Sequence, residues 1–148
     1  NVAGLGTSFA IIEDSVVRHK FNVAAKGMVP WVTVLGLTAT QAAFTQCDDW
    51  HQDFLSYLRG NRDYLVTEIT KISGLKLLSP QATFLAWIDA SGLGVENPQK
   101  YFEDLGVGPS PGADFGDKSC VRINFGCPRS ELERAIELIK AGCLNLKN

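Results

Sequence analysis

The chain has 148 residues, 45% of them hydrophobic and 20% charged, with a formal net charge of −2. This is the composition of a soluble globular protein, with enough residues for one ordinary core or two small subdomains. The slight acidity argues against a nucleic-acid partner, which needs a basic stripe, and no apolar run reaches membrane-spanning length.

Residues 1–14, "NVAGLGTSFAIIED", are apolar and glycine-rich from the first position, which leads to the expectation of a piece of a longer protein. Within them, "TSFAII" reads as a short buried strand. Asp14 or Ser15 opens a helix to about Lys26, which "GMVP" breaks. From 32 to 46, "VTVLGLTATQAAFTQ" is small and apolar on most faces, so the pattern predicts a well-buried helix. Residues 45–48 mark a joint. A long amphipathic helix over 48–72 follows, with Trp50, Phe54, Leu58, Leu65 and Ile69 at helical spacing. Asp48 and Asp49 favour its start, and Gly74 ends it.

The period then changes. "LKLLSP" reads as a short strand. "ATFLAWIDA", 82–90, reads as another, apolar on both faces as in a covered sheet. Asn97-Pro98 starts a helix to about Leu105. "GVGPSPGADFGDKS" is a turn-rich loop, and "CVRINF" is the next strand. The last helix starts after Pro128, with Ser130 and Glu133 at capping-box spacing, and ends near Gly142. The expected fold class is α+β, with helices packed on one face of a small sheet. The first forty-odd residues hold too few elements for a core of their own.

The chemical inventory is short. Cys47, Cys120, Cys127 and Cys143 form no C-x-x-C pair, and His19 and His51 have no partner at ligand spacing. No metal site is expected, and the cysteines read as reduced thiols of a cytoplasmic protein. "GLGTSF" precedes a strand instead of following one, which argues against a phosphate cradle. Asp89 reads as a turn former, Arg129 as serving the helix start or a salt bridge, and Trp31, Trp50 and Trp87 as core or interface residues. In "CVRINF" the period of two puts Cys120, Arg122 and Asn124 on one face. Two readings of Arg122 stay open. It lies on the solvent face or pairs with a structural carboxylate, or it is a fork for a substrate carboxylate, with Asn124 beside it. The loop 108–116 just upstream is either a lid next to that arginine or a surface turn.

Several stretches together resemble one family. "VRIN" followed by "FGCPRSELERAI", the preceding "SPGADFG", "PQATFLAWID", and the opening "NVAGLGTSFAIIED" are similar to the C-terminal part of fold-type-I, class I/II aminotransferase-like enzymes. The likeness is strongest to the cystathionine β-lyase-type C–S lyases and covers almost the whole chain. It implies pyridoxal phosphate as the cofactor of the parent enzyme, an amino acid as its substrate, and C–S β-lyase or aminotransferase chemistry. It implies that residues 1–47 belong to the large cofactor domain and the interdomain helix, and 48–148 to the small C-terminal domain. A missing N-terminal large domain and a homodimer mate are the implied partners. Arg122 matches the arginine that grips the substrate α-carboxylate, and Asn124 is a supporting position of the same motif. The Schiff-base lysine would lie three positions before Asn1, in a Ser-Lys-x-Phe-Asn context, so no catalytic residue is expected in this chain. The chain alone is then expected to be inactive, without bound cofactor. The competing expectation is a non-catalytic α+β binding or regulatory module.

Overall fold

The computed structural model describes residues 3–146. Its contacts divide the chain into two compact units, one up to Gln52 and one from Asp53 on.

The first unit holds a 3-10 turn at Ala3–Leu5, helix α1 (Ser15–Ala25) and helix α2 (Val34–Gln46). Both helices start where side-chain oxygens meet otherwise unpaired N–H groups. The Asp14 carboxylate accepts from Val16 and Val17, and the Thr33 hydroxyl accepts from Gly36. Two expectations fail here. No strand forms at 7–12, and Phe9 and Ile11 are exposed. A lone strand leaves its N–H and C=O groups without a ladder, and no described strand in this unit can supply one. Nor is α2 well buried: Gly36 is buried, but Val34, Leu35, Leu37 and Phe44 are exposed. An apolar helix buries its surface only against another layer. Here the 3–9 segment supplies a narrow one, with Phe9 edge-on to Phe44 at 5.6 Å and Thr7 over Gly36.

Helix α3 (Asp48–Ile69) spans the division, and its apolar stripe enters the second unit's core. Strands β1 (Lys76–Leu77) and β2 (Leu85–Asp89), helix α4 (Pro98–Asp104), strands β3 (Ser110–Pro111) and β4 (Cys120–Asn124), and helix α5 (Arg129–Asn145) complete that unit. The sheet is antiparallel throughout, in the order β1-β2-β4-β3. One face carries Ala86, Ile88, Val121, Ile123 and Phe125 into a core shared with Leu65 and Ile69 of α3, Phe102 of α4, and Leu132, Ile136 and Ile139 of α5. The α+β architecture read from the sequence is therefore present, with helices feeding one core.

Asn61 is fully buried on the apolar stripe of α3. Its Nδ2 donates to the carbonyls of Phe125 and Cys127, both at 2.9 Å. Those carbonyls sit between β4 and α5, where no ladder or helix satisfies them, so Asn61 supplies the bonds that burial demands. The Tyr57 hydroxyl, one turn earlier, accepts from the Arg129 N–H at 2.7 Å at the start of α5. The capping box expected of Ser130 and Glu133 does not form. Pro128 is the N-cap residue and makes no side-chain cap bond, so Ser130 lies inside the helix. Nor does α5 stop at Gly142. It continues to Asn145, and Gly142 is buried beneath Leu105.

The other sheet face corrects the expectation of a doubly covered β2. Trp87 is 39% exposed, and Leu85 and Asp89 are half-buried. Among the described residues, no layer of this unit covers that face as the helices cover the other. Loop 108–116 is also more ordered than turn residues suggest: it holds β3 and a 3-10 turn at Gly112–Phe115. A Pro is tolerated in β3 because β3 is an edge strand.

Candidate functional site

The partly open face of β4 is the candidate site. The register puts Trp87 of β2 and Ser110 of β3 directly opposite Arg122, one on each side. The Arg122 Nη2 donates to the Ser110 Oγ at 3.2 Å. The guanidinium carbon lies 4.4 Å from the centre of the Phe115 ring, a cation–π contact. Phe115 in turn meets Trp87 edge-on, with ring centres 5.8 Å apart and planes at 88°. The Arg122 Nε is buried without a hydrogen-bond partner. Among the described residues, no carboxylate pairs with Arg122; the arginines in ion pairs are Arg62 and Arg134. Arg129 stands at the start of α5, as expected, with its N–H on the Tyr57 hydroxyl; its side chain lies over the Tyr64 ring at 4.7 Å and makes no ion pair with a described residue.

Asn124 lies on the same face two residues further on. Its Oδ1 accepts from the Gly126 N–H at 2.8 Å, closing the turn out of β4. Its amide N–H groups make no bond to a described residue. Arg122 offers only hydrogen-bond donors and Asn124 adds its amide N–H groups, the chemistry that receives a carboxylate.

The turn that precedes β4 is held by Asp117. Asp117 accepts from the Ser119 hydroxyl at 2.6 Å and its N–H at 2.9 Å, and from the Cys120 thiol at 3.3 Å. These bonds hold its carboxyl below the ordinary carboxylate range, the Ser119 hydroxyl most of all. Burial, then the neighbouring Asp117, push the Cys120 thiol up. The Asp117 N–H donates to the Gly112 carbonyl, which ties this turn to the loop carrying Phe115. A carboxylate with a depressed folded-state pKa stabilises the fold above its unfolded value of about 4, and that contribution disappears as pH falls through the folded value. Melting temperatures measured from pH 7 down to pH 2 should therefore fall below about pH 4, and Asp117→Asn should flatten part of that slope. An acid limb identical in both proteins would assign the slope to other groups.

The residues suit a substrate better than a covalent cofactor anchor. A lysine acts as an imine-forming nucleophile when desolvation or a cationic neighbour keeps it neutral. Every described lysine is exposed except Lys140. Lys140 is bonded to Glu68, which raises its pKa. No described lysine therefore fits the anchor of a carbonyl cofactor. Among the described residues no cluster of His, Cys, Asp and Glu could hold a metal ion, and no helix is long and apolar enough to cross a membrane.

Ser110, Phe115 and Trp87 were not singled out as site residues by sequence. For Ser110 and Phe115 the only signal was the turn-rich stretch before "CVRINF", because a two-residue edge strand containing Pro has no periodicity to read; Trp87 was visible on its strand but read as a core or interface residue.

The model of the aminotransferase class I and II family matches residues 1–139, and the chain belongs to that family. Cystathionine β-lyase of Corynebacterium glutamicum is 33% identical over 111 residues, covering 73% of this chain and 30% of that protein. The crystal structure of OvoB superposes with a TM-score of 0.92 at 46% identity, covering 96% of this chain and 38% of OvoB. The pyridoxal-phosphate-bound C–S lyase of Staphylococcus hominis superposes with a TM-score of 0.82 at 29% identity, covering 97% of this chain and 38% of the lyase. The resemblance to C–S lyases read from the sequence is thus present in sequence relatives and solved structures alike. The chain spans between 30% and 38% of the length of these relatives.

Proposed function

We propose that this chain is the substrate-gripping, C-terminal part of a pyridoxal-phosphate-dependent enzyme acting on amino acids, a C–S β-lyase or an aminotransferase. Residues 48–148 form its small domain, and 1–47 belong to the large domain and interdomain helix. One observation carries the reading: a half-buried guanidinium on a rigid strand has no acid partner among the described residues. A cation so placed is retained for a ligand, and a planar donor edge suits a carboxylate. Asn124 supports it with a free amide. When bound, the cofactor supplies the electron sink for bond breaking at the amino-acid Cα, while the protein orients the substrate. This chain's part is to hold the carboxylate, and alone it is inactive. The test uses the cofactor-loaded, full-length enzyme, comparing an amino acid with its carboxamide. Arg122→Ala should abolish the preference for the acid, and a preference that survives would overturn the reading.

The apolar surface of the first unit fits the same reading. Trp31 is 97% exposed, and Val34, Leu35, Leu37 and Phe44 are exposed on α2. The rest of the enzyme and the mate in a homodimer cover these groups. The 148-residue chain on its own should therefore self-associate. Light scattering after gel filtration should show a mass above 16.1 kDa that rises with concentration. A strictly monomeric chain would contradict this.

A further inference from the structure

We propose that Phe115 and Ser110 are positioning residues that restrain Arg122 without neutralising it, and that the Ser110 hydroxyl is a further donor to the same carboxylate. The proposal rests on the reading of Arg122 as the carboxylate grip. An arginine side chain samples many rotamers, and fixing it on ligand binding weakens that binding. Proteins commonly fix an arginine with a carboxylate, but a carboxylate would also occupy the edge the ligand needs and cancel the charge that attracts it.

Here the restraint comes from neutral groups. The guanidinium carbon lies over the Phe115 ring at 4.4 Å, and Trp87 meets that ring edge-on. On the strand side, the Ser110 Oγ holds Nη2 at 3.2 Å. With the guanidinium held over the Phe115 ring and Nε buried, the Nη1–Nη2 end is where a carboxylate can dock. Because the Ser110 oxygen accepts from Nη2, its own proton points elsewhere. It has no other partner among the described residues, so it is available to a ligand oxygen bound at that end. Phe115 and Ser110 also lie on one short segment, whose backbone is wedged against residues 117–120 at Gly112. The loop thus sets the arginine's pose before any ligand arrives.

The experiment uses the cofactor-loaded, full-length enzyme, with L-alanine and L-alaninamide as probes. Dissociation constants are read from the cofactor's absorption band, and the acid-over-amide preference is their ratio. Phe115→Leu and Ser110→Ala should each lower that preference about three- to tenfold, with melting temperatures held. Phe115→Tyr, which keeps a ring face, should restore it to within about twofold. Asp114→Ala, an exposed change in the same turn, should leave it unaltered. Arg122→Ala is the reference. Should it abolish the preference while Phe115→Leu and Ser110→Ala leave theirs intact, the positioning proposal is wrong and the reading of Arg122 stands. Should Arg122→Ala itself leave the preference intact, that reading fails and the proposal with it. Ser110→Ala removes one atom and carries the test alone if Phe115→Leu does not fold.

Discussion

In the full-length, cofactor-loaded enzyme, Arg122→Ala should lower kcat/KM for the amino-acid substrate by about 2–5 kcal/mol, roughly 30- to 5,000-fold. The range is that of truncating one partner of a desolvated, hydrogen-bonded charge pair. Cofactor binding should be nearly unchanged, because the described residues of this chain show no fit to a cofactor anchor. Arg122→Lys should recover only part of the loss. An ammonium restores the charge but not the planar edge, and it cannot keep both the ring contact and the Ser110 bond. An amine substrate lacking the carboxylate should be turned over about equally poorly by the natural enzyme and the Ala variant. The alternative, a purely structural arginine, makes the opposite forecast: a lower melting temperature with unaltered kinetics in the enzyme that remains folded. Melting temperature and kcat/KM on one preparation separate the two.

Gly112→Ala should be among the most damaging single-atom additions in the second unit. A Cβ there would lie 2.2 Å from the Asp117 carbonyl oxygen and 2.3 Å from that of Cys120. Both are backbone atoms and cannot rotate aside, so the loop must lift from β4. Overpacking costs about 1–3 kcal/mol, and rigid neighbours put this case at the upper end. For a unit of this size about 3 kcal/mol lowers the melting temperature by on the order of 15 °C. Gly142→Ala is the informative contrast. Its Cβ would come as close as 2.3 Å to Leu105, but to the end of a side chain that can turn away. Its cost is also offset by about 1 kcal/mol of helix propensity. The two substitutions add the same methyl group, and thermal melts should separate them by several degrees. Equal melting temperatures would show that the loop yields as easily as a leucine. Gly112→Ala should further weaken carboxylate binding in whatever enzyme remains folded, because lifting the loop withdraws Phe115 and Ser110.

What could be read in advance followed from periodicity and local chemistry. Strand β4, helix α3 and the start of α4 were all visible, because a period of two, a stripe at helical spacing, and Asn-Pro at a helix start are local signals. So was the face shared by Arg122 and Asn124. The misreadings have a common physical origin. "TSFAII" and α2 carry the composition of buried elements, but burial depends on what lies against them. Ser130 and Glu133 have capping-box spacing, yet Pro128 takes the N-cap place, which shifts Ser130 into the helix. Asn61 was invisible because a polar residue in an apolar stripe gains meaning only from carbonyls 64 and 66 residues away. The surroundings of Arg122 were legible only in part: loop 108–116 was one of two open readings, but three separate segments meet there, and nothing local says which of their side chains touch the arginine.

The position of β4 in the chain also governs when the second unit can fold. This strand bonds to β2 on one side and β3 on the other, and with α5 it closes the core over Leu65, Ile69 and Ile88, yet both follow the unit's other described elements in the chain. A nascent chain that has reached only Lys118 holds α3 and β2 with their apolar faces not fully covered. Leu77 and Phe102 cover them only in part, because Val121, Ile123, Phe125, Leu132, Ile136 and Ile139 have not been synthesised. At about 5–20 residues per second this exposure lasts seconds, long compared with the microseconds in which a helix or hairpin forms. Folding of this unit is therefore nearly all-or-none with respect to chain length. Ribosome-stalled chains ending before β4 should bind chaperones and resist compaction, and the arginine's surroundings should form at the same moment as the core itself.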